Sequence, residues 1–278
     1  MRDRFGTVAR NPGGAGWITG DQTGPPMRSH RRSLVALLAT LFVTAALVGC
    51  SHVRLPDLPA AQRTADQTLD MRGKTVAVFI LYHTRKMLTG MQNGQVLELV
   101  TDNYDAVDSD LRAWCRATKQ NLRQTETGPG WVRYYLEKAP FQPSGKKLAM
   151  VISNPGLEDL LTPLGLALTA ALSGSEVHVI FQGPAVRVLE QGFSAKLSGL
   201  SWPFSSFARS GMAEAGHLPP QEKLAELREL GAKIYACGPS MDHFGVKRSR
   251  LAFSDIIIGE YAVFLEAMAG ANAAFLLQ

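Results

Sequence analysis

The chain predicts two domains in series. The first is an α+β two-layer sandwich of order β-α-β-α-β-β over about residues 68–140. The second is an α/β domain with a doubly wound parallel sheet over about residues 145–278. Three observations carry this reading. Gln95 to Thr101 alternates apolar and polar side chains, and Asn121–Thr127 and Trp131–Lys138 flank Gly128, Pro129 and Gly130 as hairpin strands flank a turn. Lys147–Ser153 and Ile234–Ala236 are instead nearly continuous apolar runs, the mark of strands covered on both faces. Helical stretches separate the later strands, which implies parallel pairing through right-handed crossovers.

In chain order, Thr68–Gly73 is a short strand ending in a glycine turn, and Val76–Leu88 is an apolar helix. After the strand at 95–101, the turn Asp102–Asp105 is expected to cap a helix on which Val107, Leu111, Trp114 and Cys115 share a face. The hairpin closes the first domain, and Pro140, Pro143, Ser144 and Gly145 form a linker. The second domain opens with the strand at 147–153. A turn at Asn154–Asp159 leads into a helix through Leu172, and Glu176–Phe181 is a strand broken by Gln182, Gly183 and Pro184. Gln221–Leu230 is a helix with Gly231 as its C′ residue, followed by the strand at 234–236. A brief strand at 256–258, a helix at 260–270 and a closing strand at 274–277 complete the order. Between Gly192 and Pro220 lies an insertion that is long for a loop in a compact domain and carries Phe193, Leu200, Trp202, Phe204, Phe207, Met212 and His217. It reads as a lid, an oligomer contact or a membrane-facing surface through Trp202 and Phe207.

The totals narrow the function classes. The formal net charge of +5 is concentrated at the N-terminus, where residues 1–50 hold six Arg and two Asp. The remainder has 23 basic against 22 acidic side chains, so no nucleic-acid surface is indicated. The three cysteines, Cys50, Cys115 and Cys237, are too few and scattered for a disulfide framework, and no Cys/His cluster suggests a metal. No P-loop, GxGxxG, GxSxG or HExxH occurs, and no cofactor is implied.

Residues 1–26 are read as disordered, or as lying upstream of the true start at Met27. Arg28, His30, Arg31 and Arg32 then precede an uncharged apolar run from Leu34 to Gly49, the layout of a signal segment. Leu47, Val48, Gly49 and Cys50 resemble a bacterial lipobox, which implies that Cys50 is lipidated; an uncleaved signal anchor is the alternative. Either reading exports the rest of the chain and holds it at the membrane, with 51–67 as a tether. If the signal is not used, the protein stays cytoplasmic.

The candidate reactive residue is Cys237. It follows a buried strand, and Gly238 and Pro239 then stop the strand and suit the first turn of a helix. A thiol at that junction faces unpaired backbone N–H groups, which favour the thiolate. The alternative is a small apolar residue closing a strand. Ser240 is placed to cap the following helix, and His243, six residues on, is a candidate thiolate partner or proton shuttle. Lys247, Arg248 and Arg250 form a basic cluster that suits anionic species or a solvated face.

Two family resemblances follow. Leu69, Asp70, Arg72 and Gly73, then Thr84, Arg85, Lys86 and Leu88, then Gly94, Val96, Leu97 and Glu98, and finally Thr101, Asp102 and Ala113–Arg116 resemble the TusA sulfur-carrier family. That family holds sulfur on the cysteine of a Cys-Pro-x-Pro motif, which falls here on Val76 or Ala77, with neither proline present. The first domain therefore lacks the carrier thiol, and Cys115, in mid-helix beside Trp114, reads as a buried structural residue. Phe181–Pro184, Leu230–Met241, Gly245, Val246 and Tyr261–Glu266 resemble the DsrE/DsrF-like family. This resemblance implies that Cys237 holds persulfide sulfur, and that the 145–278 domain forms homo-oligomers.

The expectation is a membrane-tethered, sulfurtransferase-like relay protein with sulfane sulfur on Cys237, working with sulfur donor or acceptor proteins. The rival is a non-catalytic binding or assembly protein that uses both folds as docking modules.

Overall fold

The computed structural model describes residues 64–197 and 205–277. Residues 1–50 with Cys50, the stretch 51–63 of the tether, and Leu200, Trp202 and Phe204 of the insertion lie outside the described residues. No helix among the described residues is long and apolar enough to cross a membrane.

The first domain comprises β1 (Gln67–Asp70), α1 (Ala77–Gly90), β2 (Val96–Asp102), α2 (Asp105–Thr118), β3 (Asn121–Gly128) and β4 (Trp131–Glu137). The sheet order is β1-β2-β4-β3, with β1 parallel to β2 and β4 antiparallel to both its neighbours. Parallel neighbours need a crossover, which α1 supplies, whereas β3 and β4 need only their tight turn. Leu97 and Leu99 of β2 stand beside Leu136 and Tyr134 of β4, and all four are buried with Ile80 and Leu88 of α1 and Leu111 and Trp114 of α2.

The opposite face is buried too, by charge rather than by helices. Arg133 is 3% exposed; its Nε lies 2.9 Å from Glu98 and its Nη1 3.4 Å from Glu126. A charge taken out of water survives there because it is paired on both sides. The expected cap of α2 is corrected. The N-cap is Tyr104, whose side chain makes no capping bond, and Asp102 instead accepts the Gly73 N–H at 2.7 Å. Asp105 and Asp108 supply the negative charge in the first turn that favours a helix start.

The second domain comprises β5 (Lys147–Ile152), α3 (Leu157–Leu172), β6 (Glu176–Phe181), a 3-10 turn (Gly183–Leu189), α4 (Ser205–Ala215), α5 (Pro220–Glu229), β7 (Lys233–Cys237), α6 (Gly238–Phe244), β8 (Ile257–Gly259), α7 (Tyr261–Met268) and β9 (Ala273–Leu277). Its sheet is fully parallel in the order β8-β7-β6-β5-β9. From β5 the chain steps outward to β8 and then returns to the far side of β5 for β9. Right-handed connections then require α3 and α5 on one face and α7 on the other. This is the doubly wound sheet that the continuous apolar strands predict.

Part of the insertion expected as a loop is the helix α4. Ser206, Ser210 and Gly211 give it weak intrinsic propensity, so nothing local marks it as helical. Its contacts hold it in place. Arg209 Nη1 donates to the Ala195 carbonyl at 3.0 Å, and the Ala215 carbonyl accepts the N–H groups of Thr75 and Val76 at 3.1 and 3.3 Å.

That last contact joins the domains, and others extend it. Arg85 Nη1 donates to the carbonyls of Ala171 and Leu172 at 3.1 and 2.5 Å, and the Tyr82 hydroxyl donates to Glu229 Oε2 at 3.1 Å. One apolar cluster runs through both domains.

Candidate functional site

Cys237 is the last residue of β7 and the N-cap of α6. Ile234, Tyr235 and Ala236 before it are buried, and the strand is flanked by β6 and β8. Its partner on β8 is Gly259, where any side chain would collide, because an added Cβ would fall 2.7 Å from Val263 of α7. Cys237 thus stands at the carboxyl end of a parallel sheet, where such folds collect their functional groups. The residue is 8% exposed, and its side chain makes no capping hydrogen bond to the helix it precedes.

Ser240 does not cap α6, contrary to the sequence expectation. The helix begins at Gly238, which makes Ser240 the third helical residue rather than the N-cap. Its Oγ accepts the Gly183 N–H at 2.9 Å and so ties α6 to the end of β6. Beside it Gln182 Nε2 donates to Ser153 Oγ at 3.1 Å, linking the ends of β5 and β6. These two bonds hold together the rim of the sheet on which Cys237 sits.

His243 is not brought to Cys237. Six residues along a helix is about 240° around the axis and about 9 Å along it. The ring is on the exposed side of α6 and packs edge-on against Phe244, with centroids 4.8 Å apart. The helix ends at Gly245, which takes a left-handed φ of 70° and lets Val246 N–H return to the Met241 carbonyl at 2.8 Å.

Beyond that turn lies an open groove of about 550 Å³, which the sequence did not reveal. Gly238, Met241, Val246 and Ile258 supply its apolar wall, and Asp242, Lys247 and Arg248 its charged rim. Lys247 and Arg248 are both exposed, whereas Arg250 is drawn 3.5 Å from Glu190. The loop that carries them is pinned, because Gln191 N–H donates to the Arg250 carbonyl and Ala252 N–H to the Leu189 carbonyl, both at 2.8 Å.

Cys115 is 4% exposed on α2, and burial pushes its thiol up to about 12, so it is protonated at neutral pH. Val76 is the N-cap of α1 and Ala77 its first residue; the carbonyl of Ala215 closes this helix end. Val76 and Ala77 are therefore apolar and half-buried, with the backbone just before the helix bonded to the second domain. Among the described residues no group of three or more His, Cys, Asp or Glu side chains is arranged to hold a metal ion.

Comparison with known families divides the chain in the same way. The sulfurtransferase TusA family matches residues 67–138, and the DsrE/DsrF-like family matches residues 146–275. No curated protein matches the chain. Among solved structures it is similar to the ychN protein from E. coli, at 13% identity and a TM-score of 0.34, over 47% of this chain and 98% of that one.

Proposed function

We propose that this chain, which carries a TusA domain followed by a DsrE/DsrF-like domain, is a sulfur-relay protein that holds sulfane sulfur as a persulfide on Cys237. The observation that carries the reading is the placement of Cys237 at the carboxyl end of β7, beside a groove rimmed by Lys247 and Arg248. In the loading step the Cys237 thiolate attacks the outer sulfur of a donor persulfide. The S–S bond of the donor breaks, its thiolate leaves with the electron pair, and Cys237 becomes the persulfide. In the delivery step an acceptor thiolate attacks that outer sulfur and Cys237 leaves as the thiolate. Neither step needs an external oxidant or reductant. Lys247 and Arg248 favour the approach of anionic donor and acceptor species.

The partners are sulfur donor and acceptor proteins. Membrane tethering through lipidated Cys50, with the folded part on the extracytoplasmic side, rests on the lipobox-like sequence at 47–50. Incorporation of labelled palmitate that is lost in Cys50→Ala tests it. Self-association of the second domain is supported by Tyr261 and Leu265, 71% and 69% exposed and one helical turn apart on α7.

A second reading has its own support. The 8% exposure of Cys237 and the closed end of α1 favour an assembly protein that docks partners without carrying sulfur. The two readings separate on the intact mass of the full chain after exposure to a sulfane-sulfur donor. A relay protein gains about 32 Da, one sulfur atom, and Cys237→Ser does not. An unchanged wild-type mass, or an equal gain in Cys237→Ser, leaves the assembly reading standing.

A further inference from the structure

Glu222, Glu226 and Glu229 lie on α5 at spacings that place them along one face of the helix. This face meets α1 of the first domain. There the Tyr82 hydroxyl donates to Glu229 Oε2 at 3.1 Å, and Lys86 Nζ lies 5.9 Å from the centre of the Tyr82 ring. Glu226 stands about one turn before Glu229 on this helix, and its Oε2 is buried with no hydrogen-bond partner. A bare buried oxygen is tolerable on a neutral carboxyl and costly on a carboxylate.

We propose that Glu226 makes the closure of the two domains proton-dependent: the seam between α1 and α5 holds while Glu226 is neutral and loosens when it ionises. Burial, with Glu222 and Glu229 as like-charged neighbours, pushes the Glu226 carboxyl up to about 7. The remaining charged groups around it do not offset this. Lys223, 3% exposed, has its ammonium pushed down by burial, and Lys86 is exposed. His83 on α1 and His217 before α5 are both pushed below 6.5 by burial, next to Lys86 and Lys223 respectively. Burial pushes the Tyr82 hydroxyl up to about 12, so it remains a donor throughout. Around neutral pH, Glu226 is therefore the group at this seam whose charge changes. Ionised, it stands beside two exposed carboxylates at one turn's spacing, and separating the helices lets water reach its buried oxygen.

The domain boundary holds a reporter away from this seam, between α2 and the end of α3. Trp114 of the first domain donates its indole N–H to the Leu172 carbonyl of the second at 3.1 Å. In the full chain, labelled at its four tryptophans, the indole resonance of Trp114 is followed from about pH 5.5 to about pH 8.5. The expected result is a shift with a midpoint near 7 in wild type, and a Glu226→Gln variant that keeps the acid-side position throughout. A Trp114 resonance that does not move, or moves equally in Glu226→Gln, overturns the proposal. The side-chain carboxyl resonance of Glu226, followed in wild type, is independent of how the variant folds; titration in the ordinary glutamate range overturns the proposal as well.

Discussion

Trp114 and Leu172 meet across the domain boundary, the indole Nε1 of one donating to the carbonyl of the other at 3.1 Å. Leu172 is the last residue of α3; the N–H groups of Ser173, Gly174 and Ser175 close the carbonyls of residues 169–171, and that of Leu172 is left to the first domain. Trp114 and Arg85 satisfy it, Arg85 also reaching Ala171, and the second domain satisfies the start of α1 with Ala215. Each domain thus completes the helix ends of the other, and the two are expected to unfold together.

Arg85→Met tests that coupling. It removes the charged donor from the Ala171 and Leu172 carbonyls but keeps most of the aliphatic stem. Chemical denaturation should show a loss of about 1.5–3 kcal/mol in a single transition. Two separated transitions in the wild type would contradict the shared seam.

Ser240→Ala should act on the rim of the site. It leaves the Gly183 N–H without its acceptor, and the expected cost is about 1–3 kcal/mol of stability. Faster alkylation of Cys237 should accompany it, as α6 comes away from the end of β6. A variant with unchanged Cys237 reactivity would remove Ser240 from any positioning role.

Loading of Cys237 by an anionic sulfane donor should depend on the groove. The double substitution Lys247→Gln and Arg248→Gln should slow it by about tenfold at low ionic strength, with the difference shrinking as salt is added. Equal rates at low salt would assign these residues to the solvated surface.

His178 makes a prediction about pH. It is 2% exposed, its Nδ1 lies 2.8 Å from the Tyr235 hydroxyl and its Nε2 2.7 Å from Glu176 Oε1. Burial holds it below the usual histidine value of 6.5, against the opposing pull of Glu176. The unfolded chain therefore binds this proton at a higher pH than the folded one. The stability it contributes is complete above about pH 6.5 and is lost as pH falls from there through the folded value. His178→Gln should flatten the stability curve below about pH 6.5, measured as the difference from wild type. A parallel curve would mean that His178 protonates equally in both states.

Much of this architecture was readable from pattern. The turn at 128–130 identified the hairpin, and the apolar runs at 147–153 and 234–236 identified strands covered on both faces. What escaped the sequence depends on contacts between distant segments. Glu98, Glu126 and Arg133 look like ordinary outward-facing strand residues until the register of β2, β3 and β4 sets them beside one another. The helix α4 has weak propensity of its own and is held by Ala195 and by the start of α1. Ser240 was misplaced by three positions, because a helix that starts at Gly238 turns a capping residue into an interior one. The junction at Cys237 was visible as a strand stopped by Gly238 and Pro239. Its low exposure and the groove beside it were not, since both depend on where β8 and α7 return.

The most direct measurement is the sulfur released from the loaded full chain by cyanide, which takes sulfane sulfur as thiocyanate and leaves the thiol. The account predicts about one thiocyanate per wild-type chain, about one for Cys115→Ser and none for Cys237→Ser. Thiocyanate from Cys237→Ser at the wild-type yield, or none from the wild type, would contradict it.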